Sequence, residues 1–478
     1  MITAAGILAD LWAQAGLPAA ALDRVDLTGA EPALPSSFRI GACAQASVAA
    51  ATLAAALLDS ALLDGAPLDG APLDGALLDG AGRVQVDMRH AAIAFRSERH
   101  LRVAGAAPPD PWDSIAGAYP CADGTVRLHT NFPHHRDGVL RLLGCAPTRE
   151  AVAAALRAWK AVAFEEAAAA AGLCVAAMRD FAAWDAHPQG RAVAAAPLVA
   201  ITRIGDAPAE ASRGVAGLRV LDLTRVIAGP VCGRTLAAHG ADVLAVTAAH
   251  LPQIPSLVID TGRGKRTAFL DLRAPDGRAG LADLLRGADV FVQGYRPGGL
   301  AAAGFGPADA ARLRPGIVYV SLSAYGASGP WAGRRGFDSL TQTATGLNVA
   351  EAEAAGIAPP KVLPAQALDH ASGYLLAFGA LAALHRRATE GGSWHVQVSL
   401  ARTGRWLRGL GRLANGFACP DPGQDDVADL LETTESGFGP ITAVRHPAAI
   451  DGAPLGFRLP AMPLGSHAPV WAQRPAAP

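Results

Sequence analysis

Hydrophobic positions fall into two patterns along the chain. Residues 371–384 are Ala, Leu, Gly, Phe and Tyr with one Ser, so a helix there is apolar all round and therefore buried. Residues 40–58 form a second run of this kind, rich in Ala and holding Gln and Ser; a buried helix fits it better than a membrane span. From residue 214 to 410 the pattern changes to short apolar runs (LRVLDL, ADVLAV, TAFLDL, ADVFVQGY, GIVYVSLSAYG) separated by helical stretches. Alternation of this type predicts an α/β fold, a doubly wound and mostly parallel sheet. Ligands bind such sheets at the carboxyl ends of the strands, which singles out residues 225–230, 261–266, 293–297 and 321–326.

The first half is less regular. A short amphipathic helix is expected over Ala4–Ala15, followed by a lead rich in Pro and Ala. From residue 109 a strand, an Asp123-Gly124 hairpin turn and a second strand lead into a helix. Residues 148–172 read as an Ala-rich helical pair, and a strand near residues 198–204 closes the unit. A smaller α/β module is thus expected at about 85–205. FRIGACAQASVAAATLAAALLD followed by GRVQVDMRHAAIAF has the same order as VLPAQALDHASGYLLAFGALAAL followed by GSWHVQVSLARTGRWL: a small-residue helix, a Gly turn, a V-Q-V strand and another helix. This is an internal repeat. With Ala46 and Ser47 set on Ala371 and Ser372, the position of Asp369 holds Ala44. Between the two parts of the first copy lies a five-residue tandem, residues 62–80, whose Pro and Gly content predicts an exposed loop of little function.

Composition narrows the functional classes. The 478 residues carry a net charge of −1, which gives no reason to expect nucleic acid or an acidic membrane as partner. None of the six Cys forms a C-x-x-C pair; isolated reduced thiols fit a cytoplasmic protein better than a disulfide set or a zinc site. The N-terminus shows no positive n-region or clear cleavage site. His129, His134 and His135 have no acidic or Cys partners at ligand spacing, so no metal is expected. No G-x-G-x-x-G follows the first strand and no acid ends the second, which argues against NAD; GRGKR at residues 262–266 lacks the first Gly of a Walker A loop.

Asp369 is the candidate for chemistry. As an Asp shortly before a helical run it can be an N-cap. A carboxylate at the mouth of a buried helix, beside His370 and small residues, can also be a nucleophile. The residue pattern alone does not choose between these.

DHASG, the Leu/Ala-rich helix after it and the HRRATEGGSWHVQVSL turn and strand resemble the nucleophile-bearing part of class III CoA-transferases, the family of L-carnitine dehydratase and formyl-CoA transferase. The likeness extends in order through residues 220–230 (V-L-D-x-T-x-x-x-A-G-P), 240–243 (G-A-D-V), 264–272 (G-K-R-x-x-x-L-D-L), 288–298 and 325–330 (Y-G-x-x-G-P). It implies a Rossmann-like CoA domain at 213–410 with Asp369 as catalytic nucleophile. A degenerate copy with a small-domain-like module would occupy 40–212, between an N-terminal lead at 1–39 and a Pro-rich tail at 411–478. It further implies that CoA lies along Val226, Ile227 and Ala228, Gly262, Arg263, Gly264 and Lys265, Gly294 and Tyr295, and Ser323, Ala324, Tyr325 and Gly326, with Lys265 and Arg266 supplying charge. The expected reaction is acyl-CoA:carboxylate CoA transfer. A CoA thioester is a substrate, a carboxylic acid is the acceptor, and no cofactor is permanently bound. An intertwined homodimer is implied, with a pseudo-dimer inside one chain as the alternative.

The sequence also departs from the family. AVTAAHLPQIPS replaces the segment in which an Arg is expected to bind phosphate, and the small module precedes the CoA domain. A non-catalytic CoA-binding subunit is therefore the main alternative. A 2-methylacyl-CoA racemase is disfavoured because GFDSL puts Phe337 where that activity needs a His.

Overall fold

The computed structural model describes residues 2–63 and 82–473. The tandem at 62–80 lies outside the described residues apart from its first two, which continue a helix. Seven strands form the main sheet: β1 (Ala200–Gly205), β2 (Arg219–Leu223), β3 (Asp242–Thr247), β4 (Lys265–Phe269), β5 (Val290–Gln293), β6 (Val318–Ser323) and β7 (Ser393–Ser399). Their order is β4-β3-β2-β5-β6-β7-β1, and every pair is parallel except β7 with β1. The sequence reading of a mostly parallel, doubly wound sheet holds. It did not foresee that the strand closing the small module pairs antiparallel to β7 and joins this sheet. From β2 the chain builds outward through β3 and β4, then returns to β5 on the other side, so the crevice between the ends of β2 and β5 is where a ligand is expected.

Five helices matter for the site: α1 (Ile40–Leu63), α2 (Ala228–Ala238), α3 (Pro255–Gly262), α4 (Ala367–Glu390) and α5 (Leu400–Gly409). α4 is apolar all round because it is covered all round. It packs on α1, α2 and the β7 face of the sheet. Small residues permit the close crossings: a Cβ at Gly373 would stand 2.6 Å from the Ala228 carbonyl oxygen, and one at Gly379 would stand 2.6 Å from Val396 Cγ1. α1 and α4 are each long and apolar enough to cross a membrane, but both are buried inside the protein.

The two copies have the same order of elements, a long buried helix, a strand and a further helix, with the strands in different sheets. Asp87 ends the first-copy strand and accepts the His90 N–H, capping the helix Met88–Ala94. Ser399 ends β7 and accepts the Arg402 N–H, capping α5. The start of α1 is held by Glu31, whose carboxylate accepts the Ala42 N–H at 2.7 Å. Ala44 is fully buried one turn into α1. The N-terminal lead and the tail share a sheet with this copy: Val25–Thr28 pairs parallel to Val84–Asp87, which pairs antiparallel to Ala448–Ile450. Ile441–Val444 of the tail also pairs with Leu431–Thr434 and with Arg102–Val103.

The small module has a three-stranded antiparallel sheet, with Gly117–Pro120 and Thr125–Leu128 joined at Asp123-Gly124 and Val175–Ala177 beside them. The expected Ala-rich pair is present as Arg149–Leu156 and Ala161–Ala170, and the first helix runs Ala4–Ala15 with Thr3 as its cap.

Candidate active site

α4 begins four residues earlier than the apolar run alone suggests, at Ala367, which makes Asp369 its third residue. Asp369 is therefore inside the first turn and does not cap it. The cap comes from Asp338, whose Oδ2 accepts the backbone N–H groups of Leu368 at 2.8 Å and Asp369 at 2.9 Å. Those amides are consequently committed to Asp338, which removes them as oxyanion donors. Asp338 also takes a hydrogen bond from Gln342 Nε2. Burial pushes its carboxyl up to about 6 despite these donors.

The Asp369 side chain is in the opposite situation. It is 7% exposed, and among the described residues no hydrogen bond reaches its carboxylate. Burial first, and then the charges of Asp338 and Glu98, push its carboxyl well above the ordinary range. Next to it, His370 Nε2 lies 3.1 Å from Glu98 Oε2, a residue of the first copy. Burial alone would raise the Glu98 carboxyl, but the hydrogen bond and charge of His370 outweigh it and hold it below its usual value.

Asp369 faces a cavity of about 650 Å3 over the carboxyl ends of β2, β3, β4, β5 and β6, closed on one side by Phe132, His134 and His135 of the small module. Val226, Ile227, Ala228, Gly294, Tyr295, Ser323 and Ala324 line it with Asp369. Val226 has φ +75°, a strained conformation for a β-branched residue, at the turn from β2 into α2. α2 starts there without a side-chain cap, so its first N–H groups remain available. Gly373 lies four residues beyond Asp369, on the same face of α4, and its contact with Ala228 sets the acid's turn against that helix start.

Other assigned residues are placed differently. Gly262 and Lys265 line a smaller adjoining cavity of about 80 Å3, and Gly326 lines a separate groove shared with Tyr295 and Ser323. Tyr325 is buried against Trp331. Gly264 packs against Ala237 and Phe457. The expectation that Lys265 and Arg266 supply free charge is corrected. The Lys265 ammonium, 4% exposed, is spent on Asp222 at 2.9 Å and on the Pro230 carbonyl at 2.7 Å. Arg266 is paired to Asp242, and Arg263 to Asp260. A cation in a protein interior needs such a partner, so these charges hold the sheet and helix ends together.

The cavity's positive charge comes instead from Arg225, Arg273, Arg296, Arg334 and Arg335. Arg225 lies over the Phe132 ring, Arg273 is anchored by Asp271, and Arg334 is anchored by Glu166. Arg225 and Arg296 fall within the strand-end segments that the sequence singled out. Arg273 follows β4, one strand later than the expected phosphate-binding Arg. Arg334 and Arg335 gave no sequence signal. Phe337 stacks on His129 with ring centroids 3.6 Å apart; burial, with the neighbouring His135, lowers that His to about 3, so it is neutral.

Residues 215–410 match the sequence profile of CoA-transferase family III. The chain is 36% identical over 206 residues to an acetyl-coenzyme A transferase of Hypoxylon pulicicidum, covering 42% of this chain and 35% of that one. It is 32% identical over 225 residues to a probable fatty acyl-CoA transferase of Mycobacterium tuberculosis, covering 43% and 57%. With a formyl-CoA:oxalate CoA-transferase of Rhodopseudomonas palustris the identity is 31% over 222 residues, covering 43% and 52%. The chain thus spans between about a third and somewhat over half of these relatives' length. A solved structure of the Mycobacterium tuberculosis protein aligns with 33% identity over 40% of this chain and 57% of that one, with a TM-score of 0.38. The segment that matches the family III profile, residues 215–410, is the one that carries the parallel strands β2 to β7 and Asp369.

Proposed function

We propose that this protein is an acyl-CoA:carboxylate CoA-transferase with Asp369 as its covalent nucleophile. The observation that carries this reading is the Asp369 carboxylate, which has no hydrogen-bond partner among the described residues and faces a cavity that five arginines also line. Such a group is costly to keep unpaired, and a raised carboxyl is a stronger nucleophile once ionised. CoA would lie along Val226 to Ala228, Gly294 to Tyr295 and Ser323 to Ala324, with its phosphates drawn by the arginine side chains.

The reaction balances without a cofactor. An Asp369 oxygen attacks the thioester carbonyl; the C–S bond breaks and CoA leaves as thiolate, giving an acyl-aspartyl anhydride. Thiolate attack on the Asp369 carbonyl releases the donor acid and leaves an aspartyl-CoA thioester. The acceptor carboxylate attacks that thioester and expels the thiolate, which then takes the acceptor acyl group from the new anhydride and restores Asp369. Unspent N–H groups at the start of α2 would steady the oxyanions, and closure by the small module would limit hydrolysis.

The partners proposed are therefore an acyl-CoA and a carboxylic acid, with the cytoplasm as the place of work; the six free thiols suit that compartment. The assembly proposed is a homodimer. Packing of α1 on α4 within one chain favours its alternative, a pseudo-dimer. Light scattering separates them: a mass of 48.6 kDa supports the pseudo-dimer and twice that supports the homodimer.

The activity test is Asp369→Asn, assayed for CoA exchange between acyl-CoA donors and a panel of acids. Loss of transfer with CoA binding retained is the expected result. Full activity would reject the nucleophile.

A further inference from the structure

Asp369 also opens onto a second cavity, of about 270 Å3, that shares Val226, Ile227 and Phe337 with the larger one. Its far wall comes from residues 98–112, which precede the family III segment; Arg99, Arg102 and Trp112 stand there. Three acids besides Asp369 line the cavity, and each is already engaged: Asp110 accepts the Trp112 N–H at 3.0 Å. Glu98 is committed to His370, and Asp338 to the start of α4. The arginines are less so. Among the described residues, Arg99 approaches Glu98 only at 3.9 Å, and Arg102 Nη1 reaches only the backbone carbonyls of Arg99 and Leu101. The second cavity thus has a free carboxylate at one end and guanidinium groups with donors to spare in its wall.

We infer that this cavity is the subsite for the exchanging acid, and that Arg99 and Arg102 select short dicarboxylic acids by binding the carboxylate remote from Asp369. The catalytic part of this inference rests on the transferase reading above. A cavity of about 270 Å3 has room for an acid the size of glutarate. One carboxylate of such an acid can exchange at Asp369 while the other takes charge-assisted hydrogen bonds from the arginines. A monocarboxylic acid leaves those donors unused. The inference also gives the first copy a role: it lacks a nucleophile at Ala44, yet its residues 98–112 wall the acid's subsite.

Calorimetric titration of the CoA-saturated protein with glutarate and with butyrate tests this without turnover. Glutarate should bind at least about tenfold more tightly, and Arg99→Gln and Arg102→Gln should each narrow the ratio severalfold, as loss of a charged hydrogen bond does. The Arg99 side chain is 38% exposed, so its replacement should leave the fold intact, which a thermal melt will verify. Equal affinity for the two acids, or a ratio unmoved in both variants, would overturn the subsite. Assaying transfer in parallel keeps the two readings apart. A protein that transfers CoA but does not discriminate the acids loses only this inference. One that discriminates the acids but transfers to none keeps the subsite and loses the nucleophile.

Discussion

Asp338 Oδ2 accepts the backbone N–H of Asp369 at 2.9 Å. One acid thereby caps the helix that carries the other, and the second acid is freed from local hydrogen bonding. The same contact places two carboxyl groups together in a buried region, so each opposes ionisation of the other.

The first prediction concerns pH. The reactive form of Asp369 is the carboxylate, so transfer is lost as pH falls through its raised value, and the acid limb of kcat/KM should lie above the usual carboxylate range. Asp338→Asn keeps an acceptor for the two N–H groups and removes the charge. Its acid limb should move to lower pH, and an unmoved limb would mean that Asp338 does not act on Asp369 electrostatically.

Stability should move the other way from activity. A raised carboxyl contributes stability that is fully present below the unfolded-state value of 3.8 and is lost as pH rises through the folded value. Asp369→Asn removes the ionising group, so its Tm should exceed that of the wild type at pH 7 to 8, and the gap should shrink on acidification. Thermal melts across pH check this. A variant less stable than wild type at neutral pH would show that the carboxylate is a structural group.

Asp369 stands out as the candidate because of short-range features: a DHASG step, a wholly apolar helix and a Gly turn into a strand. The parallel strands were legible for the same reason, each being a short apolar run between turn residues. What was not legible depends on partners distant in sequence. The cap of α4 comes from Asp338, some thirty residues earlier. The partner of His370 is Glu98, in the other copy. β1 reads as the end of the small module and becomes the edge of the main sheet, because pairing with β7 is set by tertiary position. Lys265 looked like a phosphate ligand since its Gly-rich loop suggests one; its partner Asp222 is two strands away in the sheet order.

That buried pair gives a further prediction. Lys265→Met leaves Asp222 without its cation and should destabilise the protein by about 3–5 kcal/mol, measured by denaturant unfolding. CoA affinity of the folded variant should change only a fewfold. A large loss of CoA affinity with unaltered stability would return Lys265 to the phosphate-binding set.

The central claim is that acyl transfer passes through Asp369, and covalent trapping tests it most directly. Wild-type protein is incubated with an acyl-CoA that it accepts, quenched with hydroxylamine or with borohydride, digested, and mapped by peptide mass spectrometry. The peptide containing Asp369 should carry a hydroxamate after hydroxylamine and an alcohol in place of the carboxyl after borohydride, and both should be absent from the Asp369→Asn protein. An active enzyme that gives no adduct, or an adduct on any other residue, would contradict the mechanism.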